Sequence, residues 1–345
     1  MASNGVYNQG AVDLIMKILP DNIADIQNVL IITLSNIGDV VLTFPVINIV
    51  KENLPEADVS LLVGPKAEGL FVDNPYFKHV YPFQKKQSAR EWLRFVLSLR
   101  RERFDCVIDL RQTFIPVLLN CRYHTSFFKT PHQQDHMRFK HLNRLKSVFP
   151  DYRHQTRDYC LAQPKEGVVV PDPYLKELKG QKYIILSPGA ADQAKRWPEE
   201  RYVQLCQLIR NKYSVKIVLV GDNREMTIAE NIKAALKDQV YNFCGQTTLR
   251  QLSCLIRHSC FFVGNDSAVM HMASYHNIPS VAVFGPTNPV LYGPWSEDAY
   301  AIRHNQDCAG CQRREGGQGH TCLRAIQAKE AWDQCQILMC KINLI

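Results

Sequence analysis

The stretch Cys260-Phe261-Phe262-Val263-Gly264-Asn265-Asp266-Ser267-Ala268-Val269-Met270-His271 decides the fold. Its first residues form a short continuous apolar run, the pattern of a strand buried on both faces of a parallel sheet. Gly264 permits a sharp turn. Asp266 and Ser267 stand where a helix N-cap belongs, and residues 268–275 read as the helix. The free N–H groups and positive dipole end of such a helix suit an anion. Ser267 and Ala268 are small enough for a phosphate to approach closely. The plain alternative is that Asp266 or Ser267 only caps the helix.

The same alternation extends in both directions. Strands are expected at 28–34, 59–63, 80–83 and 106–110, with helices at 40–54 and 89–103 between them. The segment 123–157 has little periodicity. Pro164, Gly167, Pro171, Pro173 and Gly180 then mark a linker. Beyond it the alternation restarts, with strands at 183–186, 216–220, 240–243, 260–264 and 280–284. Helices are expected at 199–212, 226–236 and 249–258. The expected fold class is therefore α/β, with two Rossmann-like domains facing a central cleft. The expected boundaries are an extension at 1–27, a first domain at 28–165 and a linker at 166–180. A second domain follows at 181–326, then a C-terminal helix at 327–345 that packs back on the first domain. In open parallel sheets ligands bind beyond the carboxyl ends of the strands. The loops 35–39, 187–195, 221–225, 264–267 and 285–288 are thus the informative ones.

At 345 residues, with 46% hydrophobic and 21% charged residues, the chain has an ordinary globular composition. No apolar run is long enough to span a bilayer. Residues 1–10 lack the basic start and apolar middle of a signal peptide, so a cytoplasmic protein is expected. Residues 11–19 carry Val12, Ile15, Met16 and Leu19 at helical spacing, a short amphipathic helix stopped by Pro20. Twelve cysteines are scattered, several inside apolar segments, and few or no disulfides are expected. The net charge of +8 is concentrated. Residues 85–157 hold sixteen Lys and Arg against six Asp and Glu, together with five histidines. Such a region attracts anionic partners. It has no zinc-finger, recognition-helix or aromatic RNA-binding pattern, so a nucleic-acid partner is not expected.

Neither G-x-G-x-x-G nor G-x-x-x-x-G-K-[ST] follows any strand, which argues against dinucleotide oxidoreductases and P-loop NTPases. No H-E-x-x-H or paired-carboxylate metal motif is present. Asp39, at a strand-to-helix turn, is a candidate general base; its plain alternative is helix capping. Lys195, before Trp197-Pro198, can neutralise a departing phosphate, or can be an ordinary surface lysine. Glu225, after a strand end, can accept ribose hydroxyls or serve as a first-turn acid. His271 lies four residues after Ser267 on the same helix face, as a ligand contact or a packed core histidine.

The pieces Leu34-Ser35-Asn36-Ile37-Gly38-Asp39-Val40 with Pro45, Ser187-Pro188-Gly189-Ala190 with Lys195-Arg196-Trp197-Pro198, Val263-Gly264-Asn265-Asp266-Ser267 with His271, and Phe284-Gly285-Pro286-Thr287 together resemble glycosyltransferase family 9, the lipopolysaccharide heptosyltransferases and their relatives. The resemblance runs from about Asn28 to Ile326. It implies a GT-B fold and metal-independent, inverting transfer from a nucleotide sugar, usually ADP-heptose. It implies Asp39 as base and Lys195 as the phosphate-contacting lysine. Donor contacts are implied for Ser187, Gly189, Ala190, Glu225, Asp266, Ser267, Ala268 and His271. The family often has Asp-Thr-Gly where this chain has Asp266-Ser267-Ala268. The implied partners are the nucleotide sugar, an anionic lipid-linked glycan acceptor and the inner membrane surface. No cofactor is implied. Cys308-x2-Cys311, with His320 and Cys322, could supply four zinc ligands, but a second C-x2-C is missing and no metal is expected. Two other functions fit the residues less fully. One is a nucleotide-sugar epimerase of the same fold. The other is a non-catalytic protein that binds an anionic glycan or nucleic acid through residues 85–157.

Overall fold

The computed structural model of the chain describes residues 25–84, 87–126, 135–153, 157–161, 178, 180–237, 240–304 and 321–342. The expected helix at 11–19 lies outside them. The chain divides into two compact units, Met1–Lys165 and Glu166–Ile345.

In the first unit, β1 (Asn28–Ile32), β2 (Asp58–Val63), β3 (Val80–Pro82), β4 (Cys106–Asp109) and β5 (Tyr123–His124) form a parallel sheet of order β3-β2-β1-β4-β5. Val29 to Ile32 are wholly buried, so β1 is covered on both faces, as its unbroken apolar run predicts. The described helices are α1 (Ile37–Val41), α2 (Phe44–Asn53), α3 (Ala89–Arg101), α4 (Ile115–Leu119) and α5 (Met137–Leu145). The single helix expected over 40–54 is in fact two. Pro45 has no N–H to donate to Val41, so the helix restarts at Phe44 with the proline in its first turn. Because α1 starts at Ile37, Asp39 does not cap it but lies in its first turn, behind the N-cap Asn36.

In the second unit, β6 (Tyr183–Ser187), β7 (Lys216–Leu219), β8 (Val240–Asn242), β9 (Phe261–Asn265), β10 (Ser280–Phe284) and β11 (Ala299–Arg303) form a parallel sheet of order β11-β10-β9-β6-β7-β8. Its helices include α6 (Glu199–Lys212), α7 (Met226–Leu236), α8 (Leu249–Arg257), α9 (Ala268–Tyr275), α10 (Pro289–Tyr292), α11 (Thr321–Ala325) and α12 (Ala328–Lys341). Strand order reverses between β1 and β4 in one sheet and between β6 and β9 in the other. Those are the topological switch points of doubly wound sheets, where ligands bind.

The C-terminal helix turns its apolar side into the core of the second unit. Ala328, Ala331, Trp332, Cys335 and Met339 recur at helical spacing and join the second unit's core, with Tyr202, Ile209 and Val281. The Trp332 ring meets Tyr213 edge-on, with centroids 6.0 Å apart. A full apolar stripe beside α6 and β10 is what holds this helix in place. Trp332→Ala is therefore expected to cost the second unit about 3–5 kcal/mol in urea unfolding, the usual range for emptying a buried aromatic site. A change near zero would mean that the helix is not part of that core.

Candidate active site

In the second unit the loop after β6, helix α6 and the β9–α9 turn meet at the carboxyl edge of the sheet around one side chain, Asn265. It is wholly buried at the end of β9. Its Oδ1 accepts the Trp197 N–H at 3.0 Å and the Tyr202 hydroxyl at 2.9 Å. Its Nδ2 donates to the carbonyls of Pro188 at 2.7 Å and Gly189 at 3.3 Å. One carboxamide thus ties the loop after β6 and the Lys195–Pro198 segment to the start of the β9–α9 turn. Asn is suited to this task because it carries an acceptor and two donors on one short planar group.

Asp266 follows. Its buried carboxylate takes the Lys195 ammonium at 2.6 Å, an ion pair across 71 positions of sequence. Ser267 is the N-cap of α9, its Oγ accepting from the Met270 N–H at 3.5 Å, and Ala268 opens the helix. Of the two capping candidates, then, Ser267 caps and Asp266 holds a cation. The first turn of α9 and the Lys195–Asp266 pair lie together at the switch point, where the positive end of the helix dipole adds to a pair that is neutral as a whole. Gly264 is required by close packing: a methyl group on it would lie 2.9 Å from the Ser187 carbonyl oxygen.

Glu225 stands beside this turn. It is buried, and its carboxylate fills the space between the loops after β6 and β7. A methyl group on Gly189 or on Gly221 would overlap it. Its Oε2 accepts the Asp222 N–H at 2.9 Å in a capping box. Burial raises the carboxyl above its ordinary value, opposed by the Asp222 N–H and by Arg196 and Arg224. Arg196 in turn donates to the Ala190 carbonyl at 2.8 Å. Ser187 and Ala190 are buried, so any ligand contact from Ala190 is through its backbone. His271 is also buried, and its ring stacks on Trp295 at 5.5 Å. Cys308, Cys311 and His320 of the possible zinc group lie outside the described residues, while Cys322 is part of the second unit's core.

In the first unit, Asp39 lies at the other switch point, beyond β1. It is half-buried, and its Oδ2 accepts the Asn36 amide at 2.9 Å. Its turn is pinned by Gly64, whose N–H donates to the Leu34 carbonyl at 3.1 Å. A methyl group on Gly64 would overlap the Ser35 carbonyl. Asp109, level with Ile32 at the end of β4, is the neighbouring carboxylate. It is wholly engaged with its own loop, accepting from the Arg111 N–H at 2.8 Å and the Thr113 hydroxyl at 2.8 Å. Asp39, with one side-chain partner, has acceptor capacity to spare.

The sequence assigned roles to Asp39, Ser187, Gly189, Ala190, Lys195, Glu225, Asp266, Ser267, Ala268 and His271, but none to Asn265, Arg196, Tyr202, Asp222, Trp295 or Asp109. An Asn between a buried strand and an N-cap was a usable signal for Asn265, since buried amides need partners. Asn265→Ala strands the Trp197 N–H and the Pro188 carbonyl, and is expected to cost about 2–4 kcal/mol on chemical unfolding. Glu225→Gln tests the buried acid. As pH rises, Glu225 ionises first in the unfolded chain, so the folded protein loses stability that the glutamine variant keeps. The variant's advantage should grow as pH rises above about 4, the ordinary range of a free glutamate, followed by urea titrations. An advantage that shrinks as pH rises would show a stabilised carboxylate instead.

The model of glycosyltransferase family 9 (heptosyltransferase) matches residues 141–321, more than half of the chain. Lipooligosaccharide heptosyltransferase 2 of Campylobacter jejuni is 26% identical over 317 residues, which cover 88% of this chain and 95% of that protein. Two solved structures share the fold. ADP-heptose lps heptosyltransferase II of E. coli has a TM-score of 0.71 at 21% identity, covering 92% of this chain and 100% of that one. E. coli heptosyltransferase WaaC with ADP has a TM-score of 0.67 at 18% identity, covering 90% and 100%. With two parallel α/β units of Rossmann-like strand order, the chain has the GT-B fold and belongs to glycosyltransferase family 9, enzymes that transfer sugars from nucleotide sugars.

Proposed function

We propose that the protein transfers heptose from ADP-heptose to the core of a lipopolysaccharide or a similar surface glycan, with inversion at the anomeric carbon and without a metal ion. The observation that carries this reading is the Lys195 ammonium held on buried Asp266 beside the N-terminus of α9. During transfer the bond from the anomeric carbon to the diphosphate breaks, and negative charge grows on the phosphate oxygens. A fixed ammonium and a helix N-terminus stabilise that charge as a divalent cation would, with little reorganisation. Asp266 keeps the lysine extended toward the turn. Glu225, raised by burial and set between Gly189 and Gly221, suits the ribose hydroxyls of the donor. Ser187, Gly189 and Ala190 offer backbone groups to the diphosphate, and Ser267 and Ala268 close the same turn. His271, stacked on Trp295, supports the helix from behind.

Asp39 is the proposed base. It removes the proton of the acceptor hydroxyl as that oxygen attacks the anomeric carbon, and the adenosine diphosphate leaves from the opposite face. The basic residues between 85 and 157 suit an anionic, lipid-linked acceptor presented at the cytoplasmic face of the inner membrane. Nucleic acid is not a proposed partner.

The test is transfer from ADP-heptose to a heptose-deficient core acceptor, with product configuration read by NMR and EDTA present throughout. Asp39→Asn should lower kcat by about 100- to 10,000-fold, the range for a lost general base, and leave ADP affinity unchanged. Full turnover by this variant would remove Asp39 from the mechanism. Release of an epimerised sugar without transfer would replace the transferase reading.

A further inference from the structure

Helix α3 carries large apolar side chains both inside and outside the core. Trp92, Phe95, Val96 and Leu99 face inward, and Phe95 meets Tyr81 and Phe83 beside β3. Leu93 and Leu97 stand outside that core and are 53% and 48% exposed. α4 packs against α3 over the same core and adds Val117, 57% exposed, and Phe114, 78% exposed at its start. Large apolar side chains are thus exposed on two adjacent helices, where a water-facing surface gains nothing from them.

Around them stand Arg90, Arg94, Arg100 and Arg101, all exposed, and none is in an ion pair among the described residues. The acid on this helix, Glu91, is committed to the capping box with Ser88, its Oε2 accepting the Ser88 N–H at 2.8 Å. Helix α3 therefore presents leucines amid four arginines against one carboxylate, a net positive surface. A second copy of the chain docking face to face would set arginine against arginine. A nucleic acid would have no use for the leucines.

We propose that the outer face of α3 and α4 docks on an anionic lipid bilayer, with Leu93, Leu97 and Val117 entering the acyl boundary and the arginines meeting the headgroup phosphates. The proposal rests on the reading of a lipid-linked acceptor for its purpose, and names the surface that would bring the first unit to it. Arginines reach about fivefold tighter binding each near an anionic leaflet, and the apolar side chains give the same face grip that salt does not screen.

The experiment is co-sedimentation of the full chain with phosphatidylglycerol-containing vesicles and with pure phosphatidylcholine vesicles, alongside calorimetric ADP binding on the same preparations. The wild type should bind the anionic vesicles and not the neutral ones. Leu93→Ser/Leu97→Ser should bind them at least about tenfold more weakly, since burial of one large apolar side chain alone is worth about that much, with ADP affinity unchanged. Arg90→Glu/Arg94→Glu should lose binding most at low salt. Wild-type failure to bind anionic vesicles, or equal binding by the leucine variant, would overturn the proposal. Concentration-dependent self-association abolished by the leucine variant, without vesicle binding, would overturn it in favour of a second copy. ADP binding without vesicle binding would leave the proposed function standing, and vesicle binding without any nucleotide binding would remove the function but not the surface.

Discussion

A single buried carboxamide, Asn265, sets the geometry on which the loops of the second unit depend. It is the last residue of β9, and all of its partners belong to other segments: Trp197, Tyr202, Pro188 and Gly189. The constraint is one of satisfaction rather than attraction. Each buried polar group it meets would otherwise be unpaired at the end of a sheet, where water is excluded. Trp197 extends the link, because its indole N–H donates to the Ile326 carbonyl at 3.0 Å, just before α12. The C-terminal helix, the Lys195 loop and the β9–α9 turn are therefore held as one body, and that rigidity is what a preorganised site needs.

Charge is arranged on that frame with economy. Asp266 is too deeply placed to be left alone, and Lys195 satisfies it while remaining at the edge of the turn. In the proposed reaction the same lysine meets the diphosphate, so the carboxylate positions a cation and does not itself touch the donor phosphates, which it would repel. Glu225 obeys the opposite logic. Its loops close over it so tightly that glycine is required on both sides, and burial makes its charged form less favourable. A hydroxyl-rich ribose, able to donate to that carboxylate, would relieve the cost.

The fold was largely legible because both sheets are built from continuous apolar strands that end in turn residues. The helices at 199–212, 226–236 and 268–275 match the periodicity residue for residue. Local signals also placed the loops that matter, since each follows a strand. What could not be read were partnerships across long separations. Lys195 and Asp266 each looked like a solitary charge, and only the fold brings them to 2.6 Å. Pro45 marked a helix start, but whether the helix bent or restarted depended on Thr43 and Val40 closing the turn between α1 and α2. The place of α12 in the second unit's core was not legible, because an apolar stripe says that a helix packs, not on what. β5 and β11 carry too few residues of strong β pattern to announce themselves.

The central claim is that the turn between β9 and α9, with Lys195, receives a nucleoside diphosphate without a metal ion. Calorimetric titration of ADP, GDP and UDP into the full chain in EDTA, repeated with Lys195→Ala, tests it most directly. The account predicts that ADP binds best, that EDTA makes no difference, and that the variant loses about tenfold or more, the worth of one charge-assisted contact. ADP affinity that disappears with EDTA, or that is the same in wild type and variant, would contradict it.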